Sequence, residues 1–223
     1  MKIKFFLVFI LFSFFIRTTE VFALNQIYFD PEESVVGLGE PFLLALKIDA
    51  SEPINALSLE INLPTNFKVV DFLDADSVIN YWIERPFYDS KDNSFKLAGL
   101  IPGGFVGKGA RLGILKIEAT QPGVSLISFD FKSSEAYLDS PQPKRAILKL
   151  SSLDLRVVSG KENLGHLPPD TYPPEYFRPE IGRYPETDSP WHIFFQAQDK
   201  DSGILNYKLA ESKKSYNDYE NLE

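Results

Sequence analysis

Acidic side chains are the most plentiful reactive groups in this chain, which contains 31 aspartates and glutamates. Three of them, Asp71, Asp74 and Asp76, lie close together on one short segment. Carboxylate oxygens are the ligands that Ca²⁺ prefers, so these three residues are weak candidates for a calcium site. Their spacing differs from that of an EF-hand loop, and we interpret the segment as a solvated acidic loop. The sequence therefore requires no cofactor, although Ca²⁺ stays open.

A second acidic segment runs from Asp199 through Asp201 to Gly203. It has part of a calcium-loop pattern but lacks the downstream glutamate. Asp, Ser and Gly all favour turns, so we predict a β-turn here.

Catalytic side chains are scarce. The chain has no cysteine, and its two histidines, His166 and His192, both lie outside residues 24–159. A Ser-His-Asp triad or a cysteine nucleophile is therefore excluded from that region. A pair of carboxylates could hydrolyse a glycosidic bond, but the sequence singles out no such pair. We expect no enzyme and no catalytic residue.

Aromatic side chains are the remaining candidates for a site. Tyr81, Trp82, Tyr88 and Phe105 lie near two predicted loops. Aromatic rings pack against sugar rings and also anchor protein interfaces, so we predict that these four residues bind a ligand. The alternative is that Trp82 belongs to the core.

The elements that would position these residues are strands. In Leu57–Leu63, apolar and polar residues alternate, which is the pattern of a strand with one buried face. A glycine-rich turn is predicted at residues 103–109, followed by a strand that buries Leu115 and Ile117. Strand and turn signals recur throughout residues 24–159. They predict an all-β fold, a nine-stranded β-sandwich with jelly-roll topology.

The domain boundaries follow from changes in composition. Residues 1–23 combine an early basic start, the apolar run Phe5–Ile16 and a small residue at Ala23, so we predict a secretory signal peptide. Residues 24–159 form the sandwich, and residues 160–179 form a proline-rich linker. We therefore expect an extracellular or cell-surface protein without membrane insertion of the mature fragment. The formal net charge of −8 argues against nucleic acid as a partner.

Residues 180–223 begin a second β module. Strands are predicted at 191–198 and 204–210, and two strands rarely form a stable domain alone. We therefore expect an incomplete module.

Three segments resemble the cohesin domain, a β-sandwich related to cellulose-binding modules. The opening Tyr28–Asp49 is similar to the first strands of that family, Ile54–Leu63 with its following proline to the third strand, and Gly107–Ile117 to a glycine-rich step. The segment Ile79–Pro86 departs from the usual cohesin pattern. The tail resembles the start of an immunoglobulin-like surface module.

The resemblance implies a function as well as a fold. Cohesins bind dockerin modules through one sheet face and do no catalysis, whereas related modules bind polysaccharide. We therefore expect a non-catalytic module for adhesion or scaffolding that binds a dockerin-like protein. The alternative is a module that binds carbohydrate, a polysaccharide. A more distant alternative is an accessory or catalytic domain of a glycoside hydrolase. A flat, mixed apolar–polar sheet face would favour a protein partner. A planar strip of exposed aromatic rings would favour a polysaccharide. A cleft with two convergent carboxylates would favour an enzyme.

Overall fold

The computed structural model describes residues 25–163, 170–183, 190–199, 201–204 and 206–209, so the predicted signal peptide lies outside the described residues. The described strands are β1 Asn25–Pro31, β2 Val35–Gly37, β3 Pro41–Asn62, β4 Phe67–Leu73, β5 Tyr81–Asp89, β6 Ser94–Ala119, β7 Gly123–Phe129, β8 Glu135–Leu138, β9 Lys144–Arg145, β10 Leu148–Ser151, β11 Leu153–Val158, β12 Glu180–Arg183 and β13 Trp191–Phe194. Eleven of them lie in the first domain, and two of those, β2 and β9, have only three and two residues.

Two long strands, β3 and β6, form the frame of the molecule. They have 22 and 26 residues and pair with each other antiparallel along most of their length. The register shifts near Ala50 and Ile54, so each strand contributes to both sheets of the sandwich. The prediction of short separate strands joined by a glycine turn is wrong here, because residues 103–109 continue β6 through a bend.

Glycine makes this bend possible. Gly104 has a φ of 74°, and a Cβ at its position would lie 2.7 Å from Pro53 Cβ and 3.1 Å from Asp139 Cβ. Gly103 has a φ of 80° but faces open space. Only glycine takes such angles without steric cost, so the residues interpreted as a turn instead fold one strand from one sheet into the other.

A buried asparagine holds the bend on the β3 side. Asn25 is fully buried, and its Oδ1 accepts hydrogen bonds from the backbone N–H groups of Ser51 and Glu52 at 3.0 and 3.3 Å. Its Nδ2 donates to Glu52 Oε2 and to the carbonyl of Ile147. The polar groups that the bend would leave unpaired are thereby satisfied.

The two sheets enclose one hydrophobic core, which confirms the predicted β-sandwich. In the first sheet, the C-terminal half of β3 and the N-terminal half of β6 lie between β8 and β5. In the second sheet, the other halves of the two strands lie side by side, with β1 and then β10 next to β3 and with β4 next to β6. Strand β7 pairs with β3 and β11, and β11 also pairs with β2. The predicted core residues Leu59, Ile61, Leu115 and Ile117 are all buried in this core.

Beyond residue 158 the chain stays attached to the sandwich. Lys161 forms an ion pair with Glu33, and the Asn163 side chain bonds to the backbone N–H and carbonyl of Gly37. The described part of the chain contains no helix that is long and apolar enough to span a membrane.

The second β region differs in part from its prediction. Strand β13 pairs with β12 as an antiparallel ribbon, whereas the described residues 204 and 206–209 form no strand, so the strand predicted there is wrong. Where a β-turn was predicted, the chain bends at Asp201 and Ser202. Asp199 Oδ1 accepts hydrogen bonds from the backbone N–H groups of Asp201, Ser202 and Gly203.

Candidate functional site

The four predicted aromatic anchors lie on strands rather than on loops. Tyr81, Trp82 and Tyr88 belong to β5, and Phe105 lies at the bend of β6. Successive residues of a strand point to opposite faces of the sheet, so neighbours in the sequence separate in space. The structure therefore does not gather the four rings into one site.

Trp82 and Tyr88 turn towards the inside of the sandwich. Trp82 is half-buried, packs edge-on against Phe72 at 6.0 Å between ring centres, and donates a hydrogen bond from Nε1 to Asp74 Oδ2 at 3.2 Å. The Tyr88 hydroxyl donates to Asn93, and burial raises the pKa of Tyr88. Both contacts are those of residues that stabilise the fold.

Phe105 and Tyr81 differ in exposure. Phe105 is half-buried against the core beside Gly107, whereas Tyr81 has 46% of its surface exposed. Of the four predicted ligand-binding residues, Tyr81 is the one that the structure leaves on an open face.

The three carboxylates of the acidic segment on β4 and after it have separate surroundings. Asp74 accepts hydrogen bonds from Trp82 Nε1 and from the backbone N–H of Ile204, and Asp71 accepts one from the N–H of Phe72. Asp76 is exposed at a left-handed backbone position. Among the described residues, no group of three carboxylates or histidines is arranged to hold a metal ion.

One face of the first sheet points away from the core and carries exposed and half-buried residues. Residues that lie directly opposite each other on paired strands share one face, so the register defines rows across β8, β3, β6 and β5. The rows contain Tyr137, Ala56, Leu100 and Tyr81 in the first; Glu135, Ser58, Ala98 and Glu84 in the second; and Glu60, Lys96 and Phe87 in the third. We call these eleven residues the outer face.

Three small residues lie on the central strands of the outer face, beside Leu100 in the first row and next to the Glu60–Lys96 pair of the third row, and aromatic residues lie at its margins. Ala56, Ser58 and Ala98 lie on the two central strands, whereas Tyr137 lies on β8 and Tyr81 and Phe87 lie on β5. Neighbouring strands are about 4.8 Å apart, so the two margins are separated by about 14 Å. An α-helix with its side chains measures about 10–12 Å across, so the space over the small residues suits one helix.

Charged residues on the outer face are mostly paired. Lys96 Nζ lies 3.5 Å from Glu60 Oε1, and Arg145 on β9 lies 3.6 Å from Glu135. Glu135 also accepts a hydrogen bond from the Tyr137 hydroxyl and thereby raises the pKa of Tyr137. Glu84, which lies opposite Ala98 on the β5 margin, is exposed. The face is thus mixed, with an apolar centre and an excess of negative charge.

Sequence reasoning missed the residues at the centre of this face. Ala56, Ser58 and Ala98 carry no reactive or aromatic group, so nothing in their types marks them. The one available signal was their position beside buried residues: Ser58 lies between Leu57 and Leu59, Ala98 lies between Leu97 and Gly99, and Ala56 precedes Leu57. That signal identifies an outward position, but only the register shows that the three residues lie side by side.

No protein-family model matches the chain, and no curated protein matches it. Solved structures do match. A chain from a type I cohesin–dockerin complex of Clostridium thermocellum has a TM-score of 0.50 at 13% sequence identity, over 61% of this chain and 95% of that one. A non-cellulosomal cohesin from the archaeon Archaeoglobus fulgidus has a TM-score of 0.50 at 19% identity, over 61% and 93%.

A type I cohesin from Pseudobacteroides cellulosolvens has a TM-score of 0.51 at 10% identity, over 64% of this chain and 97% of that chain. These similarities confirm the predicted resemblance at the level of the fold. The chain has a cohesin-like β-sandwich, while the sequence identity is too low for any site residue to be transferred.

Proposed function

We propose that the chain is a non-catalytic extracellular module that binds a dockerin-like helical protein on its outer face. The observation that carries this proposal is the floor of small residues, Ala56, Ser58 and Ala98, between the aromatic margins of β8 and β5. A helix laid along this floor would bury apolar surface, and the margins would supply the aromatic anchors that dominate protein interfaces. One of the solved relatives in fold comes from a complex of a cohesin with a dockerin, which supports the same class of partner.

The exposed aromatic residues favour a protein over a polysaccharide. A polysaccharide would need a planar strip of exposed rings. Trp82 and Tyr88 turn towards the core, and Tyr81 and Tyr137 lie at opposite margins of the outer face. These four residues therefore do not form such a strip, and the mixed outer face is better suited to a protein partner.

The chemistry of the outer face fits binding without turnover. Two of its three carboxylates, Glu60 and Glu135, each lie beside a cation, and the third, Glu84, is exposed at the β5 margin. Residues 24–159 contain no histidine or cysteine. Neither a general base nor a nucleophile in a catalytic arrangement is apparent on this face, so the glycosidase alternative has no observation in its favour.

The partner should carry positive charge near the β5 margin. Glu84 is exposed there, and the whole chain has a formal net charge of −8. Complementary charges speed association and exclude wrong partners, so a basic residue on the flank of the bound helix would suit this margin.

Two substitutions test the outer face. Ala98→Trp fills the floor and should lower the affinity for a dockerin module at least 10-fold. Phe87→Ala removes an anchor and should lower the affinity about 10- to 30-fold, equivalent to about 1.4–2 kcal/mol. Val124→Trp is the matched control, because Val124 is exposed on β7 outside the outer face and should not change binding.

The assay is calorimetry of the purified chain against a panel of dockerin modules, with cellulose and xylan pull-downs in parallel. If the Ala98→Trp variant binds a dockerin module as tightly as the unsubstituted chain does, the binding site lies on another surface. Binding of polysaccharide alone would favour the carbohydrate alternative. Release of reducing sugar, lost on substitution of one carboxylate, would show an enzyme.

A further inference from the structure

The second β region contacts the sandwich at a defined place. The backbone N–H of Ile204 donates to Asp74 Oδ1 at 3.0 Å, and the N–H of Asp76 donates to the carbonyl of Asp199 at 3.4 Å. We call residues 199 and 201–204 the seam loop and the segment Asp74–Ile79 the seam surface. The two hydrogen bonds run in opposite directions, one from the loop and one from the surface.

The seam loop is shaped from within before it meets the sandwich. Asp199 is 4% exposed, and its Oδ1 accepts hydrogen bonds from the N–H groups of Asp201, Ser202 and Gly203 at 2.8–3.1 Å. Asp201 Oδ2 accepts from the N–H and hydroxyl of Thr171, and the N–H of Thr171 holds the pKa of Asp201 below its usual value. A loop that is ordered by its own bonds loses little further entropy on docking.

The seam loop also fits closely against the seam surface at Gly203. Gly203 has a φ of 79°, and a Cβ at its position would overlap Asp74 Oδ1 and lie 3.1 Å from the backbone nitrogen of Ala75. The loop can therefore approach the surface only with glycine at this position.

Asp74 connects the contact to the sandwich. Its Oδ1 accepts from Ile204 and its Oδ2 accepts from Trp82, which packs on Phe72. One carboxylate thus joins the docked loop to a ring that is packed against the core.

We propose that the seam surface is a docking site for the seam loop, so that the second β region is held in one orientation rather than swinging on the proline-rich connector. The occupant is this chain's own aspartate- and glycine-containing loop. This arrangement operates whether or not the outer face binds a partner.

The orientation matters because it places the second region beside the outer face. A groove of roughly 220 Å³ lies between Asn80 and Tyr81 on the sandwich and Tyr176, Phe177 and Gln196 on the second region. Tyr81 is also a margin of the outer face, so a bound macromolecule at that margin would meet both parts of the chain.

Amide hydrogen exchange of the full chain, followed by NMR, tests the docking. The reporters are the N–H groups of Ile204 and Asp76, because each donates a hydrogen bond across the seam. In the unsubstituted chain both should exchange at least 10-fold more slowly than exposed amides. Gly203→Val, which alters only the loop, and Asp74→Ala should each abolish this protection at both sites.

Asp71→Ala is the matched control. Asp71 lines a cleft of roughly 520 Å³ together with Asp74, Gly203 and Ile204, and its Oδ1 accepts a hydrogen bond from the N–H of Phe72 rather than from the seam loop. This substitution should therefore leave the reporters protected. The amides of β3 and β6 should exchange unchanged in Gly203→Val, which separates lost docking from lost folding. Unprotected reporters in the unsubstituted chain, or protection that survives Gly203→Val, would overturn the proposal.

Discussion

At the scale of single residues, exposure rather than residue type separates the aromatic side chains into two roles. Trp82 is half-buried with its Nε1 bonded to Asp74, whereas its neighbour Tyr81 is on the open face. The sequence predicted the same ligand-binding role for both. Their adjacency in a strand is the reason that only one can be on the outer face.

Substitution of these neighbours should therefore affect different properties. Trp82→Ala should lower the free energy of unfolding by about 2–4 kcal/mol, because it leaves a cavity against Phe72 and an unpaired Asp74 oxygen. Tyr81→Ala should change stability by less than about 0.5 kcal/mol but weaken partner binding. Denaturant titration and calorimetry measure the two effects. A Tyr81→Ala variant that is less stable than Trp82→Ala would reverse the assignment.

Burial in the core gives a second prediction at this scale. Leu115→Ala should lower the free energy of unfolding by about 2–5 kcal/mol, because Leu115 is fully buried between the sheets. Val124→Ala is the control, since Val124 is 69% exposed, and it should cost less than about 0.5 kcal/mol. A loss below about 0.5 kcal/mol for Leu115→Ala would mean that this face of β6 is not in the core.

At the scale of elements, the two long strands decide how the sheets are connected. Each half of β3 and β6 has the apolar alternation of an independent short strand, and the glycines between the two halves of β6 have the composition of a turn. The pairing of Ile54 with Phe105 and of Ala50 with Gly107 shows that the backbone continues across the bend. Composition alone does not distinguish a turn that ends a strand from a bend that redirects it.

The bend can be probed with two neighbouring glycines. Gly103→Ala and Gly104→Ala both place a Cβ at a positive φ, which costs about 1–2 kcal/mol. Gly104→Ala should cost about 1–3 kcal/mol more, because its Cβ would overlap Pro53, whereas Gly103 faces open space. Thermal or denaturant unfolding measures the difference. Equal losses would show that the approach to Pro53 does not constrain the bend.

At the scale of the whole molecule, the division into modules stays a prediction, now with a more specific boundary. Lys161 and Asn163 are bonded to the sandwich, so the first domain extends a few residues past the predicted end at 159. Limited proteolysis should therefore cut first within residues 164–179 and release a fragment that contains residues 25–163. Early cleavage inside residues 40–120 would contradict the division. The immunoglobulin-like character of residues 180–223 also stays a prediction.

Export is the second prediction at this scale. A cell that recognises the basic start and apolar run of residues 1–16 should cleave after Ala23. Intact-mass measurement of the secreted protein should then show Leu24 at its N-terminus. Exported protein that retains Met1 would show an uncleaved leader instead.

The sequence by itself determined the class of fold, much of the core and the absence of a histidine- or cysteine-based site from residues 24–159. Alternation in Leu57–Leu63 and around Leu115 follows directly from the strand period, because burial of one sheet face constrains every second residue. The resemblance to cohesins rested on the same local patterns. Such features depend on neighbours along the chain, and the sequence contains them completely.

Only the tertiary structure decided which residues share a surface. The outer face depends on the register that places Ala56, Ser58 and Ala98 side by side, and the seam depends on the meeting of Asp74 with Ile204. The outer-face residues are up to 42 positions apart in the sequence and the seam residues 130, so no local pattern relates them. Pairing over such separations is set by the packing of the whole core, and a shift of one residue would turn the outer face inward.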